Sequence, residues 1–185
     1  MRRLAWVAAA AAVSLGTFGF VSAASASGGP VIATGALSST TVTGTITFSP
    51  ALTESGSSTA SLTYDPQDCT VIDSNVIVNR GVDIIRMYPG STVATPLGGG
   101  YVNMWTGSPG NIAPTDISIS GSQFVTTESG DVGIVVQGTA TDSFAGAAEV
   151  TLNSDLSMSD FDSELNSGGV SSLTFTSGSA TVGTP

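Results

Sequence analysis

The sequence predicts an all-β domain, an antiparallel β-sandwich or barrel-like fold with one short helix. In residues 41–48, apolar residues and glycine alternate with four threonines, which is the two-residue period of a half-buried strand. About ten further segments of β-branched and aromatic residues follow, separated by glycine and proline. Only residues 156–169 break this pattern. Strands that recur at such short intervals are typical of a sandwich or a barrel.

The alternation sets the order of the predicted strands. They cover residues 31–33, 41–48, 59–64, 75–79, 82–88, 101–105, 116–120, 123–126, 132–140, 147–152 and 172–176, with an extension of the last one towards residue 182. Pro50 lacks a backbone donor and is predicted to end the second strand. An aspartate and a proline predict a turn at 65–68, and Arg80 and Gly81 predict a bulge or a tight turn.

Residues 156–169 predict the one helix. Phe161 and Leu165 are four residues apart and would share a helix face. Ser157 or Ser159 can cap the start, and acidic residues near the start suit the positive helix end. Gly168 suits the stop.

The N-terminal 26 residues have the features of a secretory signal peptide. Arg2 and Arg3 precede an apolar run, and small residues before Ser27 fit a cleavage site, with a start at Ala24 as the alternative. The apolar run is short for a membrane anchor of about 20 residues. We therefore predict a signal peptide at 1–26 and a single β domain at 27–185, secreted, extracellular or associated with the cell wall.

Charge excludes several kinds of partner. The chain has 14 acidic residues and a net charge of −10, and removal of the signal peptide leaves two arginines. Such a chain repels nucleic acid and anionic lipid head groups, so we predict neither as a partner. No membrane span is predicted after signal removal, and the expected partner is a protein or a glycan at the cell surface.

Most catalytic chemistries are excluded by composition. The chain has no histidine and no lysine, so Ser-His-Asp, Cys-His and Schiff-base mechanisms and histidine metal ligands are ruled out. The three glycines at 98–100 lack the Lys-Ser/Thr of a phosphate loop. We therefore predict a protein that is not an enzyme and that uses no cofactor and no metal.

Carboxylates leave two alternatives open. Two acidic groups are close in sequence: Asp65, Asp68 and Asp73, and Asp160, Asp162 and Glu164. A glycosidase needs only two carboxyl groups, and calcium takes six to eight oxygen ligands. The simpler interpretation assigns the first group to turns and the second to the start of the helix.

One strand face offers a candidate ligand site. Tyr101, Asn103 and Trp105 share a face of the strand at 101–105. If this face is exposed, two rings that flank an amide would stack on a sugar or hold a protein partner. If it points inward, Trp105 is the largest residue of the core. The inward orientation is the prediction, because Val102 and Met104 on the other face would fill a core less well.

Cys69 is the only cysteine, so no internal disulfide can form. A free cysteine is among the most buried residue types, which predicts a buried thiol rather than one that pairs between molecules.

Three short segments follow one another along the chain: GTITFSPALT at 44–53, SFAGA at 143–147 and GVSSLTF at 169–175. In this order they resemble segments of a group of small secreted β-rich proteins of actinobacteria. The resemblance implies a β fold and an extracellular location, and it implies no activity. Members of the group carry several cysteines, whereas this chain has one.

The sequence therefore predicts a non-enzymatic protein, secreted or associated with the cell envelope, with a binding or structural role. The alternatives are a carboxylate-dependent glycan hydrolase and a glycan-binding module. A surface protein that assembles through an exposed sheet edge is a third hypothesis.

Overall fold

The computed structural model describes residues 28–83 and 86–184, which form an antiparallel β-barrel with additional strands and one helix. The predicted signal peptide lies outside the described residues. The elements are β1 (Ala36–Ser39), β2 (Thr41–Leu52), β3 (Ser58–Gln67), β4 (Thr70–Ile72), β5 (Ile77–Asp83), β6 (Arg86–Ser91), β7 (Gly100–Ser108), β8 (Thr115–Thr126), β9 (Asp131–Asp142), β10 (Gly146–Ser157), α1 (Met158–Ser167) and β11 (Val170–Gly183).

Eight strands close the barrel. Their order is β10-β9-β8-β7-β5-β3-β2-β11, and β11 pairs again with β10. Outside this ring, β6 pairs with β3, β1 pairs with β11, and β4 pairs with β1. The predicted all-β fold with one short helix is confirmed, and of the two architectures that the sequence left open the chain forms the barrel.

The alternation in β2 sorts its residues between the two faces of the barrel wall. Val42, Ile46 and Phe48 are buried in the core, and the threonines between them lie on the outside. Gly44 falls on the inward face, where a Cβ atom would lie 2.5 Å from the carbonyl oxygen of Thr63. Glycine at such a close approach lets the strand bend, as barrel closure requires.

Two predicted breaks do not interrupt their strands. β2 runs past Pro50 to Leu52, because Pro50 lies where the register to β11 shifts and is not part of a ladder pair that would need its N–H. The predicted turn at 65–68 begins too early: β3 continues to Gln67, which pairs with both Thr41 and Arg80, and the chain turns only at Asp68. Pairing with two neighbouring strands overrides the local turn preference.

Other strand boundaries differ from the predicted ones, because sequences that resemble turns form β-bulges within continuous strands. The segments at 116–120 and 123–126 form the single strand β8, whose register to β9 shifts between Ile119 and Gly121. The bulge predicted at Arg80 and Gly81 occurs one step earlier in β5, between Val78 and Arg80. Residues 31–33 form one isolated bridge rather than a strand, and the sequence did not predict β1 or β4.

The predicted helix is confirmed, and it covers one end of the barrel. The hydroxyl of Ser157 accepts a hydrogen bond from the backbone N–H of Asp160 at 3.1 Å, so of the two predicted caps, Ser157 and Ser159, the first is used. Phe161 and Leu165 are the buried residues of α1. Because Ser157 pairs with Asp131 at the start of β9, α1 lies at that end of the barrel.

The N-terminal strap, residues 28–34, crosses the opposite end. The N–H of Val31 donates to the carbonyl of Asn111 at 2.9 Å, and the N–H of Ala113 donates to the carbonyl of Val31 at 2.8 Å. Ala33, within the strap, is buried against the barrel. Chain segments therefore close both ends of the barrel.

Within residues 28–83 and 86–184, no helix combines the length and the apolar character that a membrane crossing needs.

Candidate functional site

The strand face that the sequence singled out points into the barrel. Tyr101, Asn103 and Trp105 are 3%, 1% and 7% exposed, whereas Met104 between them lies on the outer wall. The predicted inward orientation is confirmed. The ligand-binding alternative depended on an exposed face, and these side chains do not form one.

Polar atoms of this inner face bind neighbouring groups inside the barrel. The hydroxyl of Tyr64 donates to Oδ1 of Asn103 at 2.7 Å, and its ring meets that of Tyr101 edge-on at 5.5 Å. Nε1 of Trp105 donates to the hydroxyl of Thr115 at 2.8 Å. These contacts satisfy buried polar atoms that would otherwise destabilise the core.

The same network continues to the N-terminal strap. The Thr115 hydroxyl donates to the carbonyl of Ser143 at 2.7 Å, and the Ser143 hydroxyl accepts from the N–H of Ala33 at 3.0 Å. The strap is thus tied through side chains to the ring of Trp105. This end of the barrel is a packed, hydrogen-bonded closure rather than an opening.

A groove of about 470 Å³ lies on the outer wall, where β11, β2, β3 and β5 run side by side. We call it the outer groove. It is lined by Thr43, Gly44, Thr45, Thr63, Tyr64, Asp65, Arg80, Val82, Thr174 and Phe175. Its volume is within the range of about 300–1,000 Å³ that small-molecule sites occupy.

Strand register aligns threonines across this groove. Thr45 of β2 pairs with Thr174 of β11 on one side and with Thr63 of β3 on the other. Two residues further along the same face of these strands, Thr43 is opposite Asp65. Residues that face each other on neighbouring strands have Cβ atoms about 4.5–5.5 Å apart, so the groove has a row of three hydroxyls beside a carboxylate.

An ion pair holds one side of the outer groove. Nε of Arg80 donates to Oδ1 of Asp65 at 2.7 Å, and the second guanidinium nitrogen contacts Oδ2 of the same carboxylate. Hydrogen bonding to Asp65 raises the pKa of Arg80. The Arg80 side chain stays 55% exposed, and three of its five N–H donors remain outside the pair.

Val82 supplies an apolar side to the groove. It is exposed on the outer wall and pairs across the strands with Met104, which is also exposed. The two aromatic lining residues, Tyr64 and Phe175, are buried and flank Gly44. The floor of the groove is therefore backbone, and its walls are threonine side chains, one valine and the ion pair of Asp65 and Arg80.

The two acidic groups do not come together. Asp65 pairs with Arg80, while Asp68 and Asp73 have positive φ angles of 49° and 52° at turns, as the turn interpretation predicts. Asp160 lies in the first turn of α1. Within the part of the chain that the structure describes, no three His, Cys, Asp or Glu residues are arranged to hold a metal ion.

Cys69 is free and half-buried, so the predicted buried thiol is only partly buried. Its Sγ lies 3.8 Å from the carbonyl oxygen of Pro66. Burial, followed by the negative charges of Asp68 and Asp65, raises the pKa of the Cys69 thiol to about 11.

We expect alkylation of Cys69 by iodoacetamide at pH 7 to be roughly tenfold slower in the native protein than in denaturant. A pKa of about 11 in place of 9.0 gives roughly 100-fold less thiolate, and the greater nucleophilicity of the more basic thiolate offsets part of this. The native rate should also rise roughly tenfold per pH unit until the pH approaches the thiol pKa, because the thiolate reacts. Equal native and denatured rates would contradict the pKa shift.

Sequence reasoning identified parts of the outer groove without bringing them together. The outward threonines of β2 were apparent from the alternation, and Arg80 was one of two cations expected after signal removal. The missing information was the register that places Thr63 and Thr174 on either side of Thr45. No protein-family model, no curated protein and no solved structure significantly matches the chain.

Proposed function

We propose that this is a non-enzymatic protein with a binding or structural role, secreted or associated with the cell envelope, that contacts its partner through the outer wall of the barrel. One observation carries the proposal: both ends of the barrel are closed, by α1 and by the N-terminal strap. The inner face between them is packed with aliphatic and aromatic side chains. The outer groove is then a concave surface that a partner can reach.

The outer groove offers recognition chemistry rather than catalytic chemistry. Glycoside hydrolysis uses two carboxyl groups that flank the bond to be cleaved. Asp65 is the one carboxylate among the groove residues, and it is bound to Arg80. The hydroxyls of the threonines lack the histidine or lysine base that would activate them, since the chain contains neither residue.

An extracellular location is supported by the N-terminus and by the composition. Residues 1–26 have the pattern of a secretory signal peptide. Charged residues make up 10% of the chain, and the outer wall is built largely of threonine and serine. The resemblance to secreted actinobacterial proteins agrees with this location.

Filling the groove tests the proposal. Purified mature protein (27–185) should sediment with an insoluble actinobacterial cell-wall preparation. Thr45→Trp should weaken this binding at least about tenfold, equivalent to about 1.4 kcal/mol, because the indole would occupy the groove. The control is Thr139→Trp. Thr139 also follows a glycine and is exposed on the outer wall, but it lies on β9 and outside the groove. Equal binding of both variants would refute the role of the groove.

The same preparation tests the hydrolase alternative. Wild-type protein should release no reducing ends from the cell-wall material during prolonged incubation. Release that is abolished by Asp65→Asn would instead assign a hydrolytic function to the groove.

A further inference from the structure

We infer that the outer groove binds a neutral saccharide, an inference that rests on the proposed role of the outer wall as the contact surface. It names the ligand class of that surface, and three properties of the groove support it: its charge, its donors and acceptors, and its shape.

Charge favours a neutral ligand. The chain carries a net charge of −10. Among the groove residues the only charged groups are Asp65 and Arg80, which bind each other. An anionic ligand would therefore meet the repulsion of the whole molecule without a free cation to offset it. A neutral ligand avoids this penalty.

The hydrogen-bonding groups suit a ligand rich in hydroxyls. Each threonine hydroxyl can donate one hydrogen bond and accept two. Thr174, Thr45 and Thr63 present such groups in a row across three strands. The Thr63 hydroxyl donates to the carbonyl of Thr45 at 3.4 Å, so it offers a ligand its acceptor lone pairs. At the edge of the row, Asp65 and Arg80 hold each other in place, so carboxylate acceptors lie beside guanidinium donors. A sugar ring with neighbouring hydroxyls donates and accepts at adjacent positions, which this arrangement matches.

Shape favours a small ligand over a protein surface. The groove has a volume of about 470 Å³, which is the size of a small-molecule site. A stable protein interface instead buries about 800 Å² on each partner and is anchored by aromatic or arginine side chains. Tyr64 and Phe175 are buried, and the one arginine of the groove, Arg80, is held by Asp65, so the groove lacks an anchor of this kind. The C–H surface of a sugar would instead rest on the threonine methyl groups and on exposed Val82.

Calorimetric titration of the mature chain with neutral trisaccharides tests the inference. The probes are cellotriose, xylotriose, maltotriose and mannotriose, with trigalacturonate as the anionic comparison. At least one neutral trisaccharide should bind saturably, and trigalacturonate should bind at least about tenfold more weakly. Failure of all four neutral probes, or tighter binding of trigalacturonate, would overturn the inference.

Variants locate the site. Thr45→Val removes a hydroxyl while keeping the size of the side chain, and Arg80→Lys keeps the charge but loses the bidentate geometry. Both should weaken trisaccharide binding at least about tenfold, and Thr139→Val on β9 should leave it unchanged. All three substitutions are on the outer wall, and thermal melts identify any variant that is not folded; Thr174→Val then replaces it. Binding that is unaffected by the groove substitutions would overturn the assignment of the site.

The two proposals fail in different ways. If the trisaccharides do not bind but Thr45→Trp still abolishes sedimentation with the cell-wall preparation, the saccharide inference is wrong and the outer wall remains the contact surface. If wild-type protein neither binds trisaccharides nor sediments, both proposals are wrong.

Discussion

Replacing Trp105 with alanine is expected to lower the free energy of unfolding by about 3–5 kcal/mol. The side chain is 7% exposed, its ring meets that of Phe144 edge-on at 5.7 Å, and its N–H binds Thr115 at 2.8 Å. The substitution removes the ring and leaves both a cavity and a hydroxyl that has lost its donor. Urea denaturation followed by far-ultraviolet circular dichroism measures the effect.

Met104→Ala is the matched control, because Met104 is the next residue on the same strand but lies exposed on the outer wall. Its cost should stay within about 0.5 kcal/mol, as for ordinary surface substitutions. A loss below about 1 kcal/mol for Trp105→Ala would mean that the inner and outer faces of β7 are assigned backwards. Tyr101, Asn103 and Trp105 would then return as the leading ligand site.

Local patterns were sufficient to predict where most strands lie and which residues face the core. The alternation in 41–48 depends only on the backbone geometry of a strand, so it survives in any β architecture. The helix was equally local: the spacing of Phe161 and Leu165 and the cap at Ser157 need no information about distant residues. Such features could be predicted because neighbours in the sequence determine them.

Barrel closure could not be predicted, because it depends on contacts between distant segments. β10 and β11 must pair from Ala148 and Val182 to Ser154 and Phe175 for the ring to close. Gly44 is visible in the sequence, but its approach to Thr63 exists only after β2 and β3 have paired. A sandwich and a barrel share the same alternation, so the sequence left both open.

The same reason explains why the outer groove escaped the sequence analysis. In the sequence, Tyr101 and Trp105 are the candidate binding residues, because aromatic residues are the usual mark of a binding surface. The structure buries both and gathers Thr45, Thr63 and Thr174, which no short motif connects. A single threonine on a strand is common and indicates no site. The register between three strands is what places three threonines in a row beside an ion pair.

Replacing Phe161 with alanine is expected to destabilise the protein by about 3–5 kcal/mol, because Phe161 anchors α1 to the barrel. Phe161 is 1% exposed, and its ring centre lies 4.9 Å from that of Phe124 on β8. Phe124 in turn contacts Phe48 of β2 at 6.5 Å, so the helix is joined through aromatic rings to opposite parts of the wall.

The variant Ser163→Ala provides the comparison, since Ser163 is on the exposed side of α1 and alanine favours a helix. Denaturant melts of the two variants separate loss of the helix anchor from a general effect of changing the helix. Phe161→Ala should also increase binding of the dye ANS under native conditions, because undocking α1 exposes the apolar end of the barrel. A loss below about 1 kcal/mol with unchanged dye binding would show that this end stays closed without the Phe161 side chain. The closure that supports binding on the outer wall would then need another cause, and Leu165, the other buried residue of α1, would be the next to replace.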